Sequence, residues 1–309
     1  MKPLLIESGT GALGWRRLRP SEAARSPAGF ELQQSYRRHA VRALLHERQL
    51  TRVLARLRAA GVQALLGRGW AAARHYPEAG LRPYRDFEVY VAAGQHEAAR
   101  RALEKEESPV VLHVGCADLN DRTWSQVEER AQSVHLAGGQ VRVLGAEDHL
   151  RLLALQMLRR GAYRPLWLCD LAAVVETTRG AFDWDRFLSG DRRRTDWSCC
   201  ALVLARDLIE ADLAGAPPQV TSRALPHWLT RCVLRQWSLP SAGPRLPRAP
   251  AAAKPAPPPP PPGAWPNPIE ATIGLGGPIN AMPRLPFQLA ECFSRTALRA
   301  LRRPRAAAG

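Results

Sequence analysis

Residues 85–91 read Arg-Asp-Phe-Glu-Val-Tyr-Val, a period-two run in a chain whose other apolar positions mostly recur every three or four residues. That run commits the fold to a sheet. Successive strand side chains point to opposite sides, so Phe87, Val89 and Val91 share one face and Asp86, Glu88 and Tyr90 the other. Three short apolar runs, at 62–66, 110–114 and 141–144, supply partner strands, the last after the Gly138-Gly139 turn. The first ends at Gly67-Arg68-Gly69, the punctuation of a strand turning sharply into a helix over 70–76, which Pro77 closes.

Helices surround this sheet in the sequence. From Phe30 to Ala60, Val41, Leu44, Leu45, Val53, Leu54 and Leu57 keep helical spacing until Gly61 stops them, and residues 95–107 read as a charged surface helix. Beyond 146, Leu150, Leu153, Ala154 and Met157 form one stripe, residues 166–175 a second and 201–213 a third, with Asp183 placed to cap a further helix. Composition then changes: 13 of the 29 residues from 240 to 268 are proline, six of them consecutive, which favours an extended polyproline segment. The expected organisation is an irregular leader (1–29), a mixed-sheet core (30–145), a helical subdomain (146–239), a proline-rich linker (240–268) and a basic tail (269–309), disordered or holding a short helix from 285. The fold class is α+β.

Charge and cysteine usage narrow the function classes. Net charge is +16, but residues 222–309 carry +10 of it, so the folded part is only mildly basic. All but three of the 44 basic residues are arginine, and with the alanine and proline content this is the bias of GC-rich coding. The tail lacks interleaved aromatics, so nucleic acid is not the expected partner. The proline run either recruits an aromatic-grooved protein or acts as a spacer. Six cysteines form no CxxC pair and no repeated spacing, so neither a zinc ribbon nor a disulfide framework is suggested, and a reduced, cytoplasmic protein is expected. No stretch approaches the roughly 18 apolar residues of a membrane span.

Asp86 and Glu88 are the residues that point to chemistry. Two carboxylates at i and i+2 on one strand face can hold one or two divalent cations, and magnesium prefers such oxygen ligands together with substrate phosphates. Gly67, Arg68 and Gly69 place backbone N–H groups and a guanidinium at a helix start, where phosphate oxygens bind. Each half also has a plain reading, as a solvated sheet face and as a tight turn.

The order of the parts resembles the bacterial nucleotidyltransferase family of uncharacterised substrate, within the polymerase-beta-like superfamily. The chain reads Leu65-Leu66-Gly67-Arg68-Gly69, then His75-Tyr76-Pro77, Leu81-Arg82-Pro83, and Asp86-Phe87-Glu88-Val89-Tyr90-Val91. Val111-Leu112-His113-Val114 is similar to the family's acid-Leu-His-Trp strand, while Glu147-Asp148, Trp167-Leu168-Cys169-Asp170 and Asp183-Trp184-Asp185 match its helical half, over about residues 36–215 in all. The resemblance implies transfer of a nucleotidyl group from a nucleoside triphosphate to an acceptor hydroxyl. Asp86 and Glu88 then hold Mg2+ or Mn2+, Gly67, Arg68 and Gly69 surround the phosphates, and Arg82 and Arg85 either neutralise the triphosphate or pair with core acids.

Four departures qualify that implication. Val111 stands where the family has a third acid, Glu88 is one methylene longer than Asp, Arg68 replaces Lys, and Gln156 and Arg160 fall at two helix histidines. Asp118 or Asp121 could replace the missing acid from the following loop. His113 reads as packed and hydrogen-bonded, and Asp170 as the partner of an arginine. The alternative is a catalytically inactive binding or scaffold protein on the same fold.

Overall fold

The computed structural model describes residues 2–136, 139–238 and 265–302. Five strands, β1 (Leu65–Leu66), β2 (Phe87–Val91), β3 (Val110–Val114), β4 (Gln132–Leu136) and β5 (Gly139–Val143), form one mixed sheet in the order β3-β2-β1-β5-β4. β2 runs antiparallel to β1 and parallel to β3, β5 runs parallel to β1 and antiparallel to β4. The class is α+β, with the helices continuing after the sheet.

Residues 1–29 are not irregular: α1 (Lys2–Ser8) and α2 (Gly11–Leu18) lie against α3 (Pro27–Ala59). The glycines that suggest a loop are contact points. A methyl on Gly14 would stand 3.2 Å from Leu5 Cδ1 and 3.5 Å from Leu32 Cδ1, so glycine lets the helices approach. α3 is one continuous helix of 33 residues, opened by Pro27 and capped by Ser26, whose Oγ accepts from Gly29 N at 3.1 Å. It ends before Gly61, as expected, where φ is +70°.

The two faces of the sheet feed two cores. Phe87, Val89 and Val91 pack with Leu50, Val53 and Leu57 of α3 and with Ala99 of α5 (His96–Ala102). Tyr90 on the opposite face joins the larger core of the helical half. That half comprises α6 (Trp124–Glu129), which precedes β4, and after the sheet α7 (Ala146–Arg159), α8 (Pro165–Thr178), α9 (Trp184–Leu188), α10 (Arg192–Ile209), α11 (Pro218–Thr221) and α12 (His227–Ser238); the short α4 (Trp70–Ala73) follows β1. Asp183 caps α9 by accepting from Arg186 N at 2.9 Å. The third stripe ends at Ile209 rather than 213, because Glu210 turns left-handed with φ of 57°.

The tail beyond 268 is ordered into helices rather than disordered over its described part. Asn267 accepts from Ile269 N at 2.7 Å and Pro268 opens α13 (Pro268–Gly274), whose Ile269, Ala271 and Ile273 are buried. α14 (Leu285–Arg302) follows. Residues 239–264, with the polyproline run, lie outside the described residues. Among the described residues the six cysteines are free, and no helix is long and apolar enough to cross a membrane.

Candidate functional site

The turn after β1 is pressed against β2. A methyl on Gly67 would lie 2.7 Å from Tyr90 Cε2 and 2.9 Å from Leu144 Cδ1, and one on Gly69 would lie 2.7 Å from the Asp86 carbonyl oxygen. Gly69 also has φ of +63°, a conformation that favours glycine. Both glycines are thus required by packing and turn geometry, which accounts for them without a phosphate. Between them Arg68 turns inward, its side chain 9% exposed, and its Nη2 donates to Glu88 Oε2 at 2.7 Å.

The parallel register of β2 and β3 places Glu88 beside Val111 and Tyr90 beside His113. All four therefore share the face turned toward the helical half. His113 Nε2 lies in hydrogen-bond contact with the same Glu88 Oε2 and 3.4 Å from Arg68 Nη2, so the three side chains meet at one point. Its ring stacks on Tyr90 at 4.5 Å between centroids and 15° between planes. Burial opposes the charge of Arg68, but Tyr90, Glu88 and Asp118 outweigh it and hold the guanidinium pKa above its ordinary value. Burial likewise raises the Tyr90 hydroxyl. Glu88 is a buried, charge-compensated acid, and His113 is packed and hydrogen-bonded as its sequence context suggests.

Asp86 sits half-buried just before β2, and its charge acts on Arg82 and His46. Arg82 grips Asp170 of α8 with both prongs, Nε to Oδ1 at 3.0 Å and Nη2 to Oδ2 at 2.7 Å, while Tyr76 Oη donates to Asp170 Oδ1 at 2.8 Å. Three separate pieces of the sequence motif, Tyr76, Arg82 and Asp170, thus form one structural knot, and Arg82 takes the core-acid alternative. Arg85 is exposed on the connecting loop. The two loop acids are each paired to an arginine, and the charge of Asp118 also reaches Arg68. Asp118 binds Arg159 at 3.0 Å, and Asp121 binds the fully buried Arg151 at 2.6 Å.

This donor set does not fit a divalent cation. The residue beside Glu88 on the neighbouring strand is the apolar Val111, and a guanidinium already sits on the Glu88 oxygen. Among the described residues no three His, Cys, Asp or Glu side chains converge as metal ligands. A dication needs several oxygen ligands and would face the fixed positive charge of Arg68. Sequence reasoning missed the Arg68–Glu88 pair because the partners stand 20 residues apart. The signal available was the coincidence of an Arg at the turn and a Glu on the inward face of the neighbouring strand.

A mixed sheet flanked by helices, with a Gly-Arg-Gly turn beside a strand that carries Glu88 and is preceded by Asp86, is the layout of a nucleotidyltransferase-like protein. The model of the uncharacterised nucleotidyltransferase family matches residues 4–108 and 111–210, and the chain belongs to that family. The match begins at the leader helices, well before the motif region. No curated protein and no solved structure matches the chain.

Proposed function

We propose that this chain is a nucleotidyltransferase-family protein that works by binding, with metal-dependent nucleotidyl transfer closed off at its own sheet. The buried Arg68–Glu88–His113 cluster carries this reading. An arginine paired to the strand acid supplies internally the positive charge that a cation would bring, and Val111 removes the third ligand. Metal-dependent transfer from a nucleoside triphosphate to an acceptor hydroxyl is the second reading. It is favoured by Asp86 and Glu88 lying at i and i+2, with Gly67, Arg68 and Gly69 next to them, and it requires Mg2+ or Mn2+ to displace Arg68.

Calorimetry of the full chain with ATP and with GTP, each with and without Mg2+, separates the two. The expected result is no magnesium-dependent heat in the native chain or in Asp86→Ala, and its gain when Arg68→Lys is combined with Val111→Asp. Magnesium-dependent binding in the native chain that Asp86→Ala abolishes would overturn the binding-only reading and establish the transfer site.

A further inference from the structure

The N-terminal turn of α10, the loop after β3 and the segment from α13 to α14 line an open cleft of about 1130 Å³. Small-molecule sites occupy roughly 300 to 1,000 Å³, so this one has room for a nucleotide-sized ligand. Five of its sixteen lining residues are arginines, Arg159, Arg192, Arg193, Arg194 and Arg223, where the chain's own composition of 41 arginines in 309 residues would place two.

Their partners leave the cleft positive. Arg193 and Arg194 donate to backbone carbonyl oxygens, of Gly276 and of Asp118 (2.6 Å), which hold the side chains without neutralising them. Arg192 is exposed and makes no ion pair among the described residues. Arg159 pairs with Asp118 and Arg223 with Asp196. Asp191 accepts from Arg194 N at 2.8 Å as the helix cap, and Asp121 is taken by Arg151 beneath the floor. Six guanidinium groups therefore meet four carboxylates, two charges in excess, at the positive end of an 18-residue helix.

The wall facing α10 is built by a segment beyond the family-matched residues. Trp197 Nε1 donates to the Gly277 oxygen at 2.9 Å and Trp228 Nε1 to the Asn280 oxygen at 2.7 Å, fixing that wall. The cleft is thus a product of the tail's docking. It shares no residue with the turn or with the Glu88 cluster.

We infer that this cleft binds a small molecule carrying several phosphate charges. The planar fork of arginine matches phosphate oxygens two at a time, and Arg193 and Arg194, held by neutral carbonyl acceptors beside the exposed Arg192, are pre-positioned on one helical turn to present those forks. The open, arginine-lined cleft has room for a compact polyphosphate. This site is independent of magnesium chemistry at the sheet.

Titration calorimetry of the full chain in EDTA, with inorganic tripolyphosphate as the probe, tests it. Saturable one-to-one binding is expected, weakened at least tenfold in Arg192→Glu and further in Arg192→Glu/Arg193→Glu. Arg42→Glu/Arg48→Glu, at exposed positions on α3, should bind like the native chain, which distinguishes the cleft from the general positive field. Melting curves of the single variant, which breaks no contact among the described residues, guard against misfolding. Absence of saturable binding, equal weakening by the α3 pair, or citrate binding as tightly as tripolyphosphate would overturn the assignment.

Discussion

Arg68 and Glu88 depend on each other because both are nearly excluded from water. Arg68→Ala leaves the Glu88 carboxylate buried without its guanidinium, and removing one partner of such a pair costs about 3–5 kcal/mol. Urea midpoints should fall accordingly, whereas Glu88→Gln, which keeps an acceptor for the Arg68 guanidinium, should cost less. If Arg68→Ala unfolded at the native midpoint, the pair would be a surface contact rather than a buried one. A second residue-scale expectation concerns Gly67, where an added methyl meets Tyr90 and Leu144. Gly67→Ala should lower stability by about 1–3 kcal/mol, read from the same midpoints. The alternation of residues 87–91 places Glu88 and Tyr90 on the face opposite Phe87, Val89 and Val91, with Asp86 just before the strand, but alternation cannot say what covers that face. Tertiary packing turned the expected solvated or metal-binding surface into a largely buried ionic one at Arg68 and Glu88.

Elements are joined by buried histidines as well as by apolar contacts. His75, just after α4, places Nδ1 2.6 Å from Thr177 Oγ1 on α8, and its ring lies 5.5 Å from that of His149 on α7. Burial, with Arg74 adding to it, pushes the His75 pKa down to about 3 from an ordinary value of 6.5. Below pH 6.5 the unfolded chain therefore binds a proton that the folded chain refuses, so stability falls as the pH drops from 6.5 toward 3. At pH 5 this one group costs about 2 kcal/mol relative to pH 7, and His149, lowered by burial too, acts in the same direction. His75→Gln should flatten the pH dependence of the melting temperature between 7 and 5; an unchanged slope would mean that His75 titrates normally in the folded chain. At this scale, long periodic elements such as α3, α7 and α8 were legible, since their stripes extend over many residues. β4 was not, because four of its five residues are not buried and only Leu136 is, so little apolar pattern marks it.

The order of the whole molecule depends on a return across the proline-rich segment. Composition alone separates residues 240–309 from the fold, yet Ile269, Ile273 and Ile279 are each at most 5% exposed and belong to the same core as α7, α8 and α10. Three local signals were there to read: Asn267 as cap, Pro268 at the first helical position, and isoleucines at 269 and 273, one helical turn apart. Their spacing is short, and the prolines in front mask it. Burial of three isoleucines contributes about 5–9 kcal/mol before the ordering of the segment is subtracted. Ending the chain at residue 264 removes that contribution and opens the core beneath α13. The truncated protein should therefore melt at least about 5 °C lower and bind a hydrophobic dye that the full chain excludes. It should also lose tripolyphosphate, because the wall supplied by residues 273–280 goes with it. A truncated chain with the native melting temperature would mean that α13 rides on the surface. One that melts lower but still binds tripolyphosphate would place the anion site on α10 alone.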